Sequence, residues 1–369
     1  MKILTITCHN VYNHGASLQE HALLAYLKAQ GHEVRAINYR PSYESHHFSF
    51  TKVAHPFFGR NIIFRFIYRA LKLPIRLYNL KRKISFDRFS KTYIPATQQL
   101  YRNNKELTKN VPEADAYICG SDQIWNSFFE NGKDPAFYLN FVEDNKLKIS
   151  YAASFAIDNL EPSLKPFVKT GVSRLNYISV REQSGLVILK DLGITNAKQV
   201  LDPVFLLDRE YWKKLALKNE INKDYVMVYD FDSNFKIREL ALELKRRNGW
   251  DIITVNQKIP YADQNHFRKG PDYFLSLIYN AKFVISNSFH AVAFSLIFEK
   301  DFLVFNRTDK INTRMRDLLQ SLDLEHLLVA HDCNVANLID LTINYKKVKP
   351  KLTKKIALSQ QFLYQALNN

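Results

Sequence analysis

The order of segments predicts an α/β protein made of two Rossmann-like domains that face each other across a cleft. Three observations carry this. Short apolar runs of strand length alternate with stretches of helical spacing along most of the chain. The alternation pauses near residue 200 and then restarts. With 369 residues, the chain is long enough for about two domains. Such β-α-β order builds a parallel sheet covered by helices, and open sheets of this kind bind ligands beyond the C-terminal ends of their strands.

The elements follow in order. Lys2–Cys8 is a short β-rich run. Ser17–Gln30 carries Leu18, Ala22, Ala25 and Tyr26 at helical spacing, and Gly31 stands just past its end as a stop signal. Glu33–Tyr39, Ala116–Cys119, Ile149–Ala153 and Tyr177–Val180 read as further strands, with helices over 161–174 and 182–191. Leu201–Leu207, containing Asp202-Pro203, separates the halves. Beyond it, Tyr225–Asp230, Ile252–Val255, Phe283–Ser286 and Phe302–Phe305 are strand-like, and 234–247, 271–281, 290–299 and 312–321 are helical. Leu352–Leu367 predicts a terminal helix. The expected division is 1–200, with a basic helical insertion at about 46–110, then 201–350, then a C-terminal helix over 351–369.

Composition narrows the class. Apolar residues at 46% and charged residues at 24% fit a globular chain with real cores. Cys8, Cys119 and Cys333 are too few and too scattered for a disulfide framework, and no CxxC pair exists for zinc. The N-terminus reads as a first strand rather than a signal peptide, and no apolar run approaches a bilayer-spanning length. A cytoplasmic protein is expected.

Charge is the unusual feature. Lys and Arg number 52 against 36 Asp and Glu, a net of +16. Residues 51–110 hold fourteen of the cations and two acids, Asp87 and Glu106, for a local net of +12. Within them Arg65, Arg69, Lys72 and Arg76 share one helix face, while Ile62, Ile63, Phe66, Ile67, Ala70 and Leu73 lie mainly on others. Pro74 is expected to kink or end the first stretch. Residues 57–83 therefore read in two ways, as a basic amphipathic helix for an anionic membrane surface or as a solvated helix packing its apolar face on the domain. No nucleic-acid-binding motif accompanies the charge, so nucleic acid is not an expected partner.

Three strand-to-loop junctions and one arginine can carry chemistry. His9–Gly15 joins the first strand to the first helix, and Asn13 and Gly15 stand at a helix N-terminus able to meet an anion; a plain polar connecting loop is the competing reading. GxGxxG is absent, so no dinucleotide fingerprint is present. Gly120, Ser121 and Asp122 follow the strand at 116–119. They offer backbone N–H groups, a hydroxyl and a carboxylate able to take a proton from a substrate hydroxyl; a simple helix cap is the competing reading. Asn287, Ser288 and His290 follow the strand at 283–286 and put an imidazole at a helix N-terminus, where it can meet an anion; a buried structural histidine is the competing reading. Arg181 projects from the end of the strand at 177–180, where a guanidinium can hold a carboxylate or phosphate; a structural ion pair is the alternative. No metal-ligand spacing accompanies any histidine, and His9, His14, His46 and His47 read as loop histidines.

Six strings in series resemble the polysaccharide pyruvyl transferase family. They are Asn13-His14-Gly15-Ala16-Ser17-Leu18-Gln19, Gly120-Ser121-Asp122-Gln123-Ile124-Trp125-Asn126, Ser179-Val180-Arg181-Glu182, Leu201-Asp202-Pro203-Val204-Phe205-Leu206-Leu207, Ser286-Asn287-Ser288-Phe289-His290 and Asn312-Thr313-Arg314-Met315-Arg316. The resemblance implies a glycosyltransferase-B-like fold, with the acceptor on the N-terminal side and the donor on the C-terminal side. It implies transfer of pyruvate from phosphoenolpyruvate to a sugar of a surface polysaccharide or its lipid-linked precursor. A cyclic ketal forms and phosphate leaves, with no cofactor beyond the co-substrate and no metal. Arg181 and His290 carry over as the central residues. The chemistry so implied would use Arg181 to clamp the carboxylate or phosphate with Arg314 as helper, His290 as general acid or phosphate contact, and Asp122 to orient or deprotonate the acceptor hydroxyl. Ser288 stands where many members have an arginine just before the histidine. Peripheral attachment at the inner face of the membrane is an expectation from the basic segment, which lies outside the six strings. The rival readings are a B-type glycosyltransferase using a nucleotide sugar and a non-catalytic family member that binds glycan or membrane.

Overall fold

The computed structural model describes residues 1–44, 48, 53, 55, 57–218, 221–307, 312–330 and 338–368; His46, His47 and Cys333 lie outside them. The first half runs β1 (Lys2–Ile6), α1 (His14–Ala29), β2 (Glu33–Ala36), α2 (Ile62–Tyr93), α3 (Asn104–Lys109), β3 (Ala116–Cys119), β4 (Leu147–Ala153), α4 (Lys165–Ser173), β5 (Tyr177–Val180), α5 (Gln183–Asp191) and β6 (Lys198–Gln199). The second half runs α6 (Arg209–Leu215), β7 (Tyr225–Tyr229), α7 (Phe235–Asn248), β8 (Asp251–Thr254), β9 (Gln264–Asn265), α8 (Pro271–Asn280), β10 (Phe283–Ser286), α9 (Phe289–Phe298), β11 (Asp301–Phe305), α10 (Thr313–Gln320), β12 (Leu328–Val329) and α11 (Tyr345–Asn368).

Each half forms one parallel sheet of six strands. The orders are β2-β1-β3-β4-β5-β6 and β12-β11-β10-β7-β8-β9. The chain reverses direction across the sheet between β1 and β3 in the first, and between β7 and β10 in the second. Those two points open the crevices where such sheets receive ligands. The inner strands are buried on both faces, as in Tyr225–Tyr229, which explains why they read as continuous apolar runs, whereas the edge strand Glu33–Ala36 alternates. The two-residue strands β6, β9 and β12 are too short to show any period.

One core covers the second sheet and the facing side of the first, including Ile3, Leu18, Tyr151 and Trp212. A second core covers the other side of the first sheet around Trp125, Phe137 and Tyr138. α11 begins at Tyr345, earlier than expected from sequence, and includes Pro350. It returns to the first half, where Ser359 Oγ accepts from Leu201 N at 2.9 Å and Phe362 meets Tyr151.

α2 departs most from expectation. It runs unbroken from Ile62 to Tyr93 with Pro74 inside. Ala70 and Pro74 are both exposed, so water can satisfy the carbonyl that the proline leaves without a donor. The apolar face does not pack on the domain: Ile62, Ile63, Phe66, Ile67 and Leu73 are all exposed. The later half of α2 braces the two halves of the molecule, and Arg76 just before it is buried. Arg82 donates to the Phe267 and Asn256 carbonyls at 2.6 and 3.2 Å and to the Tyr12 carbonyl at 3.1 Å. Tyr78 stacks on Phe267, and Arg88 pairs with Asp272 at 2.6 Å. Among the described residues, no helix is long and apolar enough to cross a membrane.

Candidate active site

The two reversal points meet. A cavity of about 110 Å³ lies where the loops after β1, β3, β7 and β10 converge, and its walls include Asn13, Asp122, Asn287, Ser288, His290 and Arg314. Six of the ten residues singled out from sequence therefore share one wall.

Its floor is set by close packing. Asn13 caps α1 by accepting from Ala16 N at 3.2 Å. His14 is the first residue of α1, buried and not in a loop. Its ring lies 3.0 Å from the Tyr229 hydroxyl and 3.2 Å from the Lys269 carbonyl, and burial pushes its pKa well down, so a neutral imidazole links the halves. Gly15 has no side chain because none fits: a Cβ would come within 2.0 Å of His290 Nδ1. His290 sits at the start of α9 and is itself buried.

Behind the cavity lies a buried charge cluster. Asp202 is fully buried and accepts from Arg181 Nη1 at 2.5 Å. Its second neighbour is His290 Nε2, at the ion-pair distance of 3.5 Å. Burial raises the Asp202 pKa, but His290 and Arg181 outweigh it and hold the group well below the usual carboxylate range. Burial likewise opposes the charge on Arg181, while Asp202, Asp122 and Glu182 hold its pKa above the ordinary value. The Arg181 guanidinium lies 4.5 Å from the Phe289 ring, and its Nε and Nη2 have no hydrogen-bond partner. Asp202 was read from sequence only as part of a domain boundary. Its signal is the Asp-Pro pair that starts a short helical turn, with Oδ1 accepting from Val204 N at 3.1 Å.

Arg314 completes the cluster. Asp317 accepts from Ser184 N at 2.8 Å and Arg316 pairs with Asp158 at 2.7 Å, so α10 is fastened to the first half and carries Arg314 inward. Arg314 Nη1 and Arg181 Nη2 lie 3.5 and 3.6 Å from Asp122 Oδ1. Burial and the neighbouring Arg181 push the Arg314 pKa down to about 10, and its Nε is buried without a partner. Arg181 itself opens on a second cavity of about 160 Å³, reached past Phe289 and shared with Arg314.

The other sequence candidates do structural work. Ser121 is fully buried; its hydroxyl donates to the Ala152 carbonyl at 2.8 Å and lies 3.3 Å from Asp202. A Cβ on Gly120 would strike the Tyr151 carbonyl at 2.2 Å, and its φ of +114° suits glycine alone. Neither residue borders the cavities. Asn287 borders the smaller cavity, but its amide is committed: it donates to Asp230 at 2.8 Å and accepts from Phe231 N at 3.0 Å. Sequence reasoning missed Arg307, which lines that cavity near Asp232 at 3.3 Å. It also missed Glu44. A cavity of about 500 Å³ opens on the far side of Asp122, bordered by Cys8, Glu44, Phe128 and Phe129. Burial pushes the Glu44 pKa up to about 8, against the lowering effect of the Cys8 hydrogen bond and with smaller help from nearby acids. Among the described residues, no group of three His, Cys, Asp or Glu side chains could hold a metal ion.

A sequence profile described as polysaccharide pyruvyl transferase matches residues 13–309. The chain belongs to the polysaccharide pyruvyl transferase family. Arg181, Asp202 and His290 all fall inside the match, and Arg314 lies just beyond its end. This family member is 29% identical over 230 residues to general stress protein 30 of Bacillus subtilis (strain 168). The alignment spans 59% of this chain and 65% of that relative. The fold is that of glycosyltransferase-B proteins. UDP-GlcNAc 2-epimerase of Neisseria meningitidis, solved with UDP-GlcNAc, superimposes with a TM-score of 0.57 at 10% identity, covering 100% of this chain and 99% of that one. The Rickettsia bellii UDP-N-acetylglucosamine 2-epimerase gives 0.55 at 11% identity, covering 99% and 95%.

Proposed function

We propose that this family member transfers pyruvate from phosphoenolpyruvate to two hydroxyls of a saccharide, forming a ketal and releasing phosphate. The observation that carries the reading is the pair of buried guanidiniums, Arg181 and Arg314, that keep unpartnered N–H groups beside His290. Buried donors of this kind are costly unless a ligand completes them. A small molecule with both a carboxylate and a phosphate offers acceptors for these donors. Arg307, paired with Asp232, lines the cavity that Arg314 and His290 share and adds a further cation to its wall.

Each group has a role. The guanidiniums hold the two anionic groups of the donor. His290 delivers a proton to the methylene carbon, and Asp202 supplies the counter-charge for its imidazolium. The oxocarbenium so formed takes one sugar hydroxyl, whose proton Asp122 accepts. Phosphate departs with a proton, and the second hydroxyl closes the ring. One proton is thus consumed at carbon and one leaves with phosphate, matching the two the hydroxyls release. The acceptor occupies the larger cavity beyond Asp122, where Phe128 and Phe129 offer apolar surface to a sugar face. Neither a metal nor an organic cofactor enters this scheme.

The fold neighbours give the nucleotide-sugar reading its footing, because one of them was solved with UDP-GlcNAc. Thermal shift separates the two. Phosphoenolpyruvate should raise the melting temperature, and Arg314→Ala should cancel the rise. Stabilisation by nucleotide sugars alone would favour the glycosyltransferase reading.

A further inference from the structure

The first half of α2 carries a surface that the site does not use. Ile62, Ile63, Phe66, Ile67, Leu73 and Leu77 recur at helical spacing and form one apolar stripe. All are exposed, Ile62 by 81% and Phe66 by 73%. Monomeric proteins rarely leave so many large aliphatic and aromatic side chains contiguous and in water. Beside the stripe runs a second one, Arg65, Arg69 and Lys72, also exposed, with Arg60 just before the helix. From residue 45 to residue 86 the chain has nine Lys and Arg and no acid at all.

We propose that residues 57–77 form a docking arm for an anionic lipid bilayer. The apolar stripe enters the boundary between headgroups and acyl chains, and the flanking cations meet the phosphates. Charge complementarity selects this occupant. A second copy would bring two cation-rich stripes together across a self-complementary interface, with no acid in the segment to offset them. A nucleic acid would satisfy the cations and leave the apolar stripe in water. The arm continues without a break into the part of α2 that braces the cleft through Arg82 and Arg88. Docking therefore anchors the cleft itself and suits a saccharide acceptor carried on a membrane lipid. The docking claim stands apart from the donor chemistry, so either can fail alone.

Co-sedimentation of the full chain with vesicles tests it, comparing phosphatidylcholine alone with phosphatidylcholine plus phosphatidylglycerol. The chain should pellet with the anionic vesicles only, and raised salt should weaken the binding. Two variants address the two stripes separately. Ile62→Glu with Phe66→Glu should lower partitioning by about tenfold or more, and Arg65→Glu with Lys72→Glu should do the same. These positions are exposed, so melting temperature and turnover on a water-soluble acceptor should hold. Equal pelleting with neutral vesicles would overturn the proposal. So would full binding by either variant, or a dimer in sedimentation equilibrium that the apolar variant dissociates without any vesicle binding.

Discussion

Asp202 reaches Arg181 and His290 with one oxygen, and among the described residues no other acid pairs with both. Its depressed pKa gives the sign of a pH effect. A carboxylate held lower in the folded than in the unfolded state adds stability above its unfolded value of about 3.9, and that stability disappears as pH falls further. The wild type should therefore lose stability steeply below about pH 4. Asp202→Asn should be less stable at neutral pH by roughly 2–4 kcal/mol and should show a flatter acid limb. Parallel unfolding curves from pH 7 to pH 3 would contradict this. Gly15 makes a separate claim. Gly15→Ala favours the helix but pushes against His290. Turnover should fall by about tenfold or more, and the overpacked contact should cost about 1–3 kcal/mol of stability; unaltered kinetics would mean that the position of the His290 ring is not critical.

Residue identity explains what could be read in advance. Asp122, Arg181 and His290 stand at strand ends or helix starts, where the pattern itself points, and Arg314 entered through the family resemblance. Asp202 looked like a linker, because a buried acid is recognised only by its partners. Ser121 looked available, yet its hydroxyl faces inward on Ala152 and Asp202. Glu44 and Arg307 gained meaning only when the topology brought distant loops to one cavity wall.

At the scale of elements, α2 joins two tasks. Its later half is a strut: Arg82 alone donates three hydrogen bonds to carbonyls on both sides of the cleft. Arg82→Ala should cost about 2–3 kcal/mol, the worth of charge-assisted bonds lost from a half-buried group. In urea the single unfolding transition should split or broaden as the two halves uncouple. A sharp, unshifted transition would show that the halves hold together without it. The stripes of α2 were visible as periodicities. Its passage through Pro74 and its bare apolar face were not, because both depend on whether a neighbour is there to cover the helix.

For the whole molecule, the two-sheet plan followed from alternation alone, and the boundary strands did not, since β6, β9 and β12 have two residues each. The plan matters because it doubles a general rule: two sheet-reversal points face each other, so one cavity receives loops from both. The central claim is that this junction moves pyruvate. Incubation with phosphoenolpyruvate carrying labelled carbon and a pool of saccharide acceptors tests it most directly, with mass spectrometry of the sugars and a parallel phosphate assay. An acceptor should gain one labelled pyruvate less one water for each phosphate released, and His290→Gln should give neither. Labelled sugar from the His290→Gln protein, or phosphate release with no labelled sugar from the wild type, would contradict the account.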